Sequence, residues 1–401
     1  MNEKRRDNKG RLLYKGEMQE KDGRYRYTYT DLKGKRRTVY SWTLTDTDRI
    51  PEGKNICKSL RTKKKEIQFK LAQGINDTNM TVLELLKTYY SLKTNVKPNT
   101  KAAYKTVYNI IKEEDFGYLK IKNISMLKAQ EFLVQLYNKR NQSYATIHRV
   151  RKHLKPAFRL AVRDRLILDN PFDFTLSSIL KDTRKKRTSI SSEDEKRFLD
   201  FCREDKFYQR YYDAFYILFN TGLRISELCG LTLKDINFET ETFNVTKQLQ
   251  RVQNPETNKM EFAITSTKTI TSQRELPMTT EVKKSFERIV RNRRKPIAEK
   301  IIDGYTGFIF VKQNGSPMVG ADWLNKFKRA TAKYNETHSI LLPKITPHIC
   351  RHTYCTKMAK TGINPKTLQY LMGHANIKTT LDTYTHIGLE DARKELKRLI
   401  I

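Results

Sequence analysis

The chain has 401 residues, enough for two or three domains that each bury a core of their own. Its net charge is +35, hydrophobic residues make up 38%, and no apolar stretch approaches the roughly 20 residues that span a bilayer. The charged N-terminus also lacks the apolar segment of a signal peptide. These features argue against a membrane protein, and we expect a cytoplasmic protein with a polyanionic partner.

Positive charge is spread along the whole chain. It amounts to +10 over residues 1–80, +10 over residues 81–180 and +15 over residues 181–401. A single basic tail therefore does not account for it. The five cysteines are scattered and contain no CxxC pair, so the sequence favours neither a disulfide framework nor a zinc ribbon. We expect reduced thiols, no metal and no cofactor.

Residues 1–75 are predicted to form a small α+β module. The predicted strands cover 12–15, 24–30 and 38–44, and a helix covers 59–72. In the middle strand Arg24 and Arg26 alternate with tyrosines, which makes one face basic and the other aromatic. A cationic sheet face can lie in a DNA groove, and a solvated face over a tyrosine core is the alternative.

Residues 81–173 are predicted to form a bundle of four helices, because apolar residues recur there at helical spacing. The fourth helix, over 144–164, carries a row of basic residues. This row includes Arg149, Lys152, Lys155 and Arg159. Such a row can hold phosphates, although a solvated charged face is the more common meaning.

The remaining chain is divided into a basic linker and a larger domain. The linker, residues 174–190, contains Lys185, Lys186 and Arg187 and is expected to follow a phosphate backbone. Residues 191–401 are predicted to be a mixed α/β, mainly helical domain with strands over 242–250, 260–265 and 274–277 and a last helix over 389–400. The predicted fold class is therefore multidomain and mostly α.

Two arginines in this last domain are candidates for binding a phosphate. Arg224 follows a probable helix stop at Gly222, and Arg351 lies in the first turn of a helix that opens after Pro347. A guanidinium is a planar fork that matches two phosphate oxygens and stays protonated. For Arg224 alone, a salt bridge to Glu227 is the plainer explanation.

Four further residues offer proton transfer or nucleophilic chemistry, each with a plainer alternative. Lys268 lies in a turn where a lysine is normally solvated, and Tyr384 lies at helical spacing where a core aromatic is expected. His348 precedes Arg351 by three residues, and His374 follows a helix that ends at Gly373. A zinc site at His348 lacks the glutamate and the third ligand that such sites need.

Four sequence runs together carry a resemblance. They are TGLRISELCGL, STKTITSQRELP, TPHICRHTY and LMGHANIKTTLDTYTH. In order and separation they resemble the catalytic boxes of the tyrosine recombinase (phage-type integrase) family. The helical middle resembles that family's core-binding domain, and the first 70 residues resemble the arm-binding domain of conjugative-transposon integrases.

The resemblance implies a role for each candidate. Arg224 and Arg351 would clamp the scissile phosphate, and Lys268 would protonate the leaving 5′ oxygen. His348 and His374 would support proton transfer and phosphate contacts, while Tyr384 would be the nucleophile that forms a 3′-phosphotyrosine. Strand exchange of this kind needs neither a metal ion nor ATP, since one phosphodiester replaces another bond of similar energy.

The resemblance also implies partners and a biological role. We expect an integrase that inserts and excises a mobile element, such as a conjugative transposon, through a Holliday junction in a bacterial cell, where bound protein would associate with the nucleoid. Expected partners are double-stranded DNA at element ends and target sites, further copies of the chain as a dimer to tetramer, and a small excisionase. Helix 389–400 either joins neighbouring copies or, as the alternative, packs within its own chain. The alternatives are a type IB topoisomerase, a non-catalytic DNA-binding regulator and an RNA-binding protein.

Overall fold

A computed structural model describes residues 5–32, 34–74, 78–94, 96, 98–139, 141–183, 189–254, 257, 259–266, 273–384 and 393. The chain forms two units, Met1–Arg184 and Lys185–Ile401. Among the residues described, no helix is long and apolar enough to cross a lipid bilayer. The mostly helical, multidomain fold class predicted from the sequence is confirmed.

The first unit begins with an antiparallel sheet in the order β1-β2-β3. Its strands are β1 (Glu17–Gln19), β2 (Tyr25–Thr30) and β3 (Arg36–Ser41), and helix α1 (Leu60–Ala72) follows. Tyr25 and Tyr27 point from β2 into a small core with Leu60 of α1, so the aromatic face of the strand is the buried one. The prediction of a tyrosine core under this sheet is confirmed.

The first predicted strand, over 12–15, was misplaced. The chain turns at Gly16, whose φ is +85°, and the Glu17 N–H donates to the Tyr14 carbonyl at 2.9 Å. Pairing with β2 begins only after this turn, at Glu17 opposite Tyr27. The apolar residues before the turn suggested a strand. The turn at Gly16 interrupts the extended backbone, so the strand begins only at Glu17.

Four helices complete the first unit. They are α2 (Val82–Ser91), α3 (Pro98–Lys112), α4 (Met126–Lys139) and α5 (Tyr144–Arg163). Helix α2 starts at a capping box, in which Thr81 and Glu84 satisfy each other's backbone N–H. Helix α5 buries the face that carries Ile147, Leu154 and Phe158 in a core shared by the four helices. Arg149, Lys152 and Arg159 lie on the opposite face and are exposed to solvent.

The second unit contains eight α-helices and five strands within the residues described. The helices are α6 (Ser192–Glu204), α7 (Gln209–Thr221), α8 (Ile225–Gly230), α9 (Thr280–Arg291), α10 (Gly320–Thr337), α11 (Pro347–Lys360), α12 (Pro365–Met372) and α13 (Ile377–Tyr384). The strands are β4 (Ile236–Asn237), β5 (Thr242–Val245), β6 (Lys247–Gln253), β7 (Met260–Ser266) and β8 (Arg274–Pro277).

The strand predicted over 242–250 is divided in two. Strand β5 pairs with β8, where Val245 lies opposite Arg274, whereas β6 pairs with β7 from Lys247 onwards. The chain therefore changes partners after Val245, which alternation of side chains cannot reveal. One consequence is that β8 lies in the small β4-β5-β8 sheet and presents Arg274 to the interior.

Helix α7 lies at the centre of the hydrophobic core of the second unit. Phe215 and Phe219 of α7 are fully buried against Phe198, Phe327 and other apolar side chains. Burial of apolar area of this kind is the main favourable contribution to folding. Because α7 is packed along its length, the position of its C-terminal end at Thr221 is fixed, and so is the point from which the following residues start.

Candidate active site

Arg224 is held in place by the turn that ends α7. Gly222 takes the left-handed conformation, with φ +62°, and a Cβ there would lie 2.5 Å from the Tyr354 ring. The chain then enters α8, with Arg224 as the residue before its first turn. The Arg224 side chain is one-third exposed, and its Nη2 donates to the Gly373 carbonyl at 2.9 Å.

Glu227 ties Arg224 to a second, fully buried arginine. Its carboxylate accepts from the Arg224 backbone N–H at 2.9 Å and from Arg224 Nη1 at 2.6 Å. The other partner is Arg274 of β8, whose Nη2 lies 3.0 Å from Glu227 Oε2. Burial alone raises the pKa of Glu227, but Arg274 and then Arg224 hold it below its ordinary value, so the carboxylate is ionised.

Arg351 reaches the same place from α11. Thr346 caps this helix, Pro347 opens it, and the Arg351 side chain is buried. Its Nη1 donates to the Gly222 carbonyl and its Nη2 to the Met372 carbonyl, both at 2.5 Å. Burial, followed by the Arg224 guanidinium, lowers the pKa of Arg351 to about 9, and the side chain remains cationic at neutral pH.

His374 lies in the turn after α12, next to both guanidiniums. Gly373 ends α12 in the left-handed conformation, and His374 Nδ1 is 3.0 Å from Thr380 Oγ1. Burial first, and then Arg351 and Arg224, lower the pKa of His374 to about 4. The imidazole is therefore neutral at physiological pH, and it can accept a proton or donate a hydrogen bond without adding charge.

His348 occupies a different environment from Arg351, although the two lie three residues apart near the start of α11. His348 is exposed, whereas Arg351 is buried. A helix N-terminus presents free N–H groups and the positive end of its dipole. An imidazole at that position is accessible to a docked phosphate.

Tyr384 lies at the end of α13, a helix that packs on both α11 and α12. Its half-buried ring packs against the small cluster that contains Tyr354, Cys355 and Met372. Its hydroxyl donates to the Ile363 carbonyl at 2.5 Å. Met372 thus connects two candidates, because its side chain packs in the cluster around Tyr384 and its carbonyl accepts from Arg351.

Several predicted functional residues lie outside the described residues. They are Lys268, the linker residues Lys185, Lys186 and Arg187, and, apart from Arg393, the residues of the helix predicted over 389–400. Among the predicted residues that are described, Arg224, Arg351 and His374 lie together around the end of α12. Tyr384 lies on α13, which packs against α12.

The basic residues predicted to contact DNA in the first unit differ in their partners. In the sheet, Arg24 donates to Asp22 at 2.6 Å, and Arg26 forms an ion pair with Glu20 in which Nε lies 2.9 Å from Oε1. Along α5, Lys155 is paired with Asp173 at 2.5 Å. Arg149, Lys152 and Arg159 are exposed on the same helix, and Lys152, Lys155 and Arg159 line a groove of about 320 Å³.

Sequence reasoning missed Arg274. It stands in the run STKTITSQRELP, but nothing in that run distinguishes a buried arginine from a solvated one. Glu227 was considered only as a salt-bridge partner of Arg224. The spacing of three residues between them, which places the two side chains on the same face of a helix, was the sequence feature that indicated this pair. Glu227 and Arg274 are 47 positions apart in sequence, which explains why their pairing was not predictable from local pattern.

Comparison with known families gives two matches. Residues 188–390 match the phage integrase family, and residues 1–71 match the DNA binding domain of Tn916 integrase. The transposases from transposon Tn1545 of Streptococcus pneumoniae and transposon Tn916 of Enterococcus faecalis are each 40% identical to this chain. Both alignments cover 100% of this chain and 97% of the relative.

Solved structures agree with this similarity. A variant of the Tn1549 transposon integrase in complex with a circular intermediate DNA is 42% identical, with a TM-score of 0.74, over 80% of this chain and 99% of that one. A variant of the same integrase in complex with transposon right end DNA is 41% identical, also with a TM-score of 0.74, over 80% and 100% of the two chains. A lambda integrase dimer on a core site shares the fold at 15% identity, with a TM-score of 0.53, over 93% of this chain and 95% of that one.

Proposed function

Because this chain belongs to the phage integrase family of tyrosine recombinases, we propose that it integrates and excises a conjugative transposon by site-specific recombination. The observation that carries the proposal is the meeting of Arg224 and Arg351 at the end of α12. These residues come from elements 127 positions apart in sequence, yet both donate to that helix end. Two fixed cations beside a neutral imidazole suit a phosphodiester in transesterification.

The proposed chemistry exchanges one phosphoester for another. The Tyr384 oxygen attacks phosphorus and loses its proton, the bond to the 5′ oxygen breaks, and that oxygen takes a proton. Arg224 and Arg351 neutralise the charge that grows on the non-bridging oxygens, where preorganised cations act most strongly. In this scheme Lys268 is the general acid for the 5′ oxygen, and His348 and His374 assist proton transfer.

A neutral Tyr384 needs activation. A phenol has a pKa of about 10, so forming the phenolate at neutral pH costs roughly 4 kcal/mol. The hydroxyl also donates to the Ile363 carbonyl, a contact that attack on phosphorus must break. We infer that substrate DNA supplies the binding energy for this step, so that free protein has a poorly reactive tyrosine.

The proposed partner is double-stranded DNA at transposon ends and attachment sites. The structures of the Tn1549 integrase with circular intermediate and transposon end DNA support it, as does the excess of basic residues in every third of the chain. We further propose assembly on DNA as a dimer to tetramer joined through helix 389–400, an excisionase as directionality partner, and action at the bacterial nucleoid in the cytoplasm.

The proposal is tested with Tyr384→Phe on nicked duplexes that trap cleaved product. Wild-type protein should form a covalent protein–DNA adduct, and Tyr384→Phe should form none while binding the duplex within about threefold of wild type, since only the hydroxyl is removed. A matched control is Tyr305→Phe, which removes the hydroxyl of an exposed tyrosine in the same unit. Adduct formation by Tyr384→Phe would contradict the proposed nucleophile.

A second assay separates recombination from topoisomerase activity. Two attachment-site duplexes should give recombinant products with wild-type protein, whereas a type IB topoisomerase would relax supercoiled DNA and leave these sites unexchanged. The full-length similarity to transposon transposases favours recombination. Relaxation without recombinant product would favour the topoisomerase.

A further inference from the structure

The last three carbonyl groups at the end of α12 each accept a hydrogen bond from a different arginine. The Leu371 oxygen accepts from Arg274 Nε at 3.0 Å, the Met372 oxygen from Arg351 Nη2 at 2.5 Å, and the Gly373 oxygen from Arg224 Nη2 at 2.9 Å. The carbonyls one turn earlier, on Gln369 and Tyr370, accept from backbone N–H groups of the helix cap. The helix end is therefore fully occupied, and three of its partners are guanidiniums.

Such an arrangement has a clear physical basis. The last carbonyls of a helix have no partner within the helix, and they carry the negative end of its dipole. Cations are therefore stabilised there, and carbonyl oxygens can hold guanidiniums that would otherwise repel one another. The end of α12 thus gathers groups from β8, α11 and the start of α8.

Arg274 differs from the other two arginines in its accessibility. Its side chain is 0% exposed, whereas that of Arg224 is 33% exposed. Its Nε donates to the Leu371 carbonyl, and both terminal nitrogens donate to the Glu227 carboxylate. Arg274 is therefore unsuited to contact DNA, and any effect on cleavage must pass through its neighbours.

The sum of the charges around Glu227 indicates how Arg274 can influence cleavage. Glu227 carries one negative charge and is fully buried, and Arg224 and Arg274 each carry one positive charge beside it. The three groups together are singly positive, so the Arg224 guanidinium keeps a net attraction for a phosphate. Without Arg274, the pair of Arg224 and Glu227 is neutral, and the carboxylate draws Arg224 inward.

We propose that Arg274 is a positioning residue for strand cleavage. It shares the charge of Glu227 and fastens β8 to the end of α12, which keeps Arg224 oriented and electrostatically positive towards the scissile phosphate. This inference rests on the proposed function, because it concerns the same phosphate site. It adds a residue that has no direct contact with the reacting atoms.

Single-turnover cleavage of a nicked duplex by the full chain tests the inference, with the protein saturating and the dissociation constant measured separately. Arg274→Met should slow adduct formation about 100-fold, as loss of one preorganised charge contact does, with DNA affinity within about threefold of wild type. Adding Glu227→Gln to Arg274→Met restores the single positive charge. The double variant should therefore react at least about 10-fold faster than Arg274→Met.

The conservative variant Arg274→Lys keeps the charge, but one ammonium cannot span both the Leu371 carbonyl and the Glu227 carboxylate. It should cleave at a rate between those of wild type and Arg274→Met. If Arg274→Met fails to fold, Arg274→Lys decides, since a reduced rate in the folded variant supports the inference and a wild-type rate overturns it.

Two results would overturn the inference while leaving the proposed function intact. One is a wild-type cleavage rate in Arg274→Met. The other is a double variant that is no faster than Arg274→Met, because the charge balance around Arg224 would then not set the cleavage rate. Absence of any adduct with wild-type protein would instead contradict the proposed function itself.

Discussion

At the scale of single residues, the site is defined by how charge is placed around one helix end. Arg351 is buried and Arg224 is partly exposed, and both are fixed by carbonyl groups before any substrate is present. Fixed cations need no rearrangement when charge develops in a transition state. The neutral His374 beside them adds hydrogen-bonding capacity without further positive charge.

His374 gives a prediction about stability and pH. Its folded-state pKa of about 4 lies below the ordinary 6.5, so the unfolded chain binds more protons between these values. The free energy of unfolding should therefore fall as the pH is lowered from about 6.5 to about 4. Urea denaturation of wild type and His374→Asn across this range measures it, and the variant should show the shallower fall.

Carboxylates also titrate in this range, so the difference between the two proteins is the informative quantity. Equal slopes for wild type and His374→Asn would mean that burial and the neighbouring guanidiniums do not suppress protonation of this imidazole.

At the scale of elements, the site depends on two helix ends that close with glycine. Gly222 ends α7 and Gly373 ends α12, both with positive φ and both tightly surrounded. A left-handed residue with a Cβ is strained, and here the Cβ also meets a neighbour. These glycines allow the carbonyls at the two helix ends to approach the arginines.

Gly373→Ala should therefore lower both stability and cleavage. A Cβ at this position would lie 2.7 Å from Arg274 Nη1 and 3.0 Å from its Cζ. The matched control is Gly304→Ala, where φ is +81° and nothing lies within 4 Å, so that only the conformational cost of roughly 1–2 kcal/mol remains. Thermal unfolding and suicide-duplex cleavage should both show the larger loss for Gly373→Ala, and equal losses would contradict the crowding argument.

Local pattern predicted much at this scale, and the exceptions have physical causes. The spacing of apolar residues indicated the helices around Met126 and Tyr144, and Gly222 indicated the end of α7. The first strand was wrong because Gly16 turns the chain, and the strand after Thr242 was wrong because the chain changes partners. Pairing between distant segments is set by tertiary packing, which a local pattern does not contain.

In the candidate site, too, some residues were predictable from local sequence motifs and others depend on tertiary packing. Sequence motifs pointed to Arg224, Arg351 and His374, which lie together around the end of α12. Arg274 was not predictable, because its burial and its pairing with Glu227 depend on how β8 packs against α8 and α12. A buried ion pair between distant segments leaves no periodic signal in the sequence.

At the scale of the whole molecule, the net charge of +35 is the dominant property. If the two units together contact about ten phosphates, the log-log slope of DNA affinity against salt should be about −9, because each contact releases counterions. Titration of duplex DNA at several salt concentrations measures this slope. A slope near zero would contradict binding through the basic surfaces.

A single surface contact can be counted in the same experiment. Lys152 is exposed on α5, and Lys152→Ala should reduce the magnitude of the slope by about one if this residue contacts a phosphate. An exposed lysine that faces only solvent in the complex would leave the slope unchanged.

The central claim is that the Tyr384 oxygen becomes esterified to a 3′ phosphate, and peptide mapping of the trapped adduct tests it most directly. After nuclease and protease digestion, mass spectrometry should locate the nucleotide remnant on the peptide that contains Tyr384. A remnant on any other residue, or adduct formation that persists in Tyr384→Phe, would contradict the account.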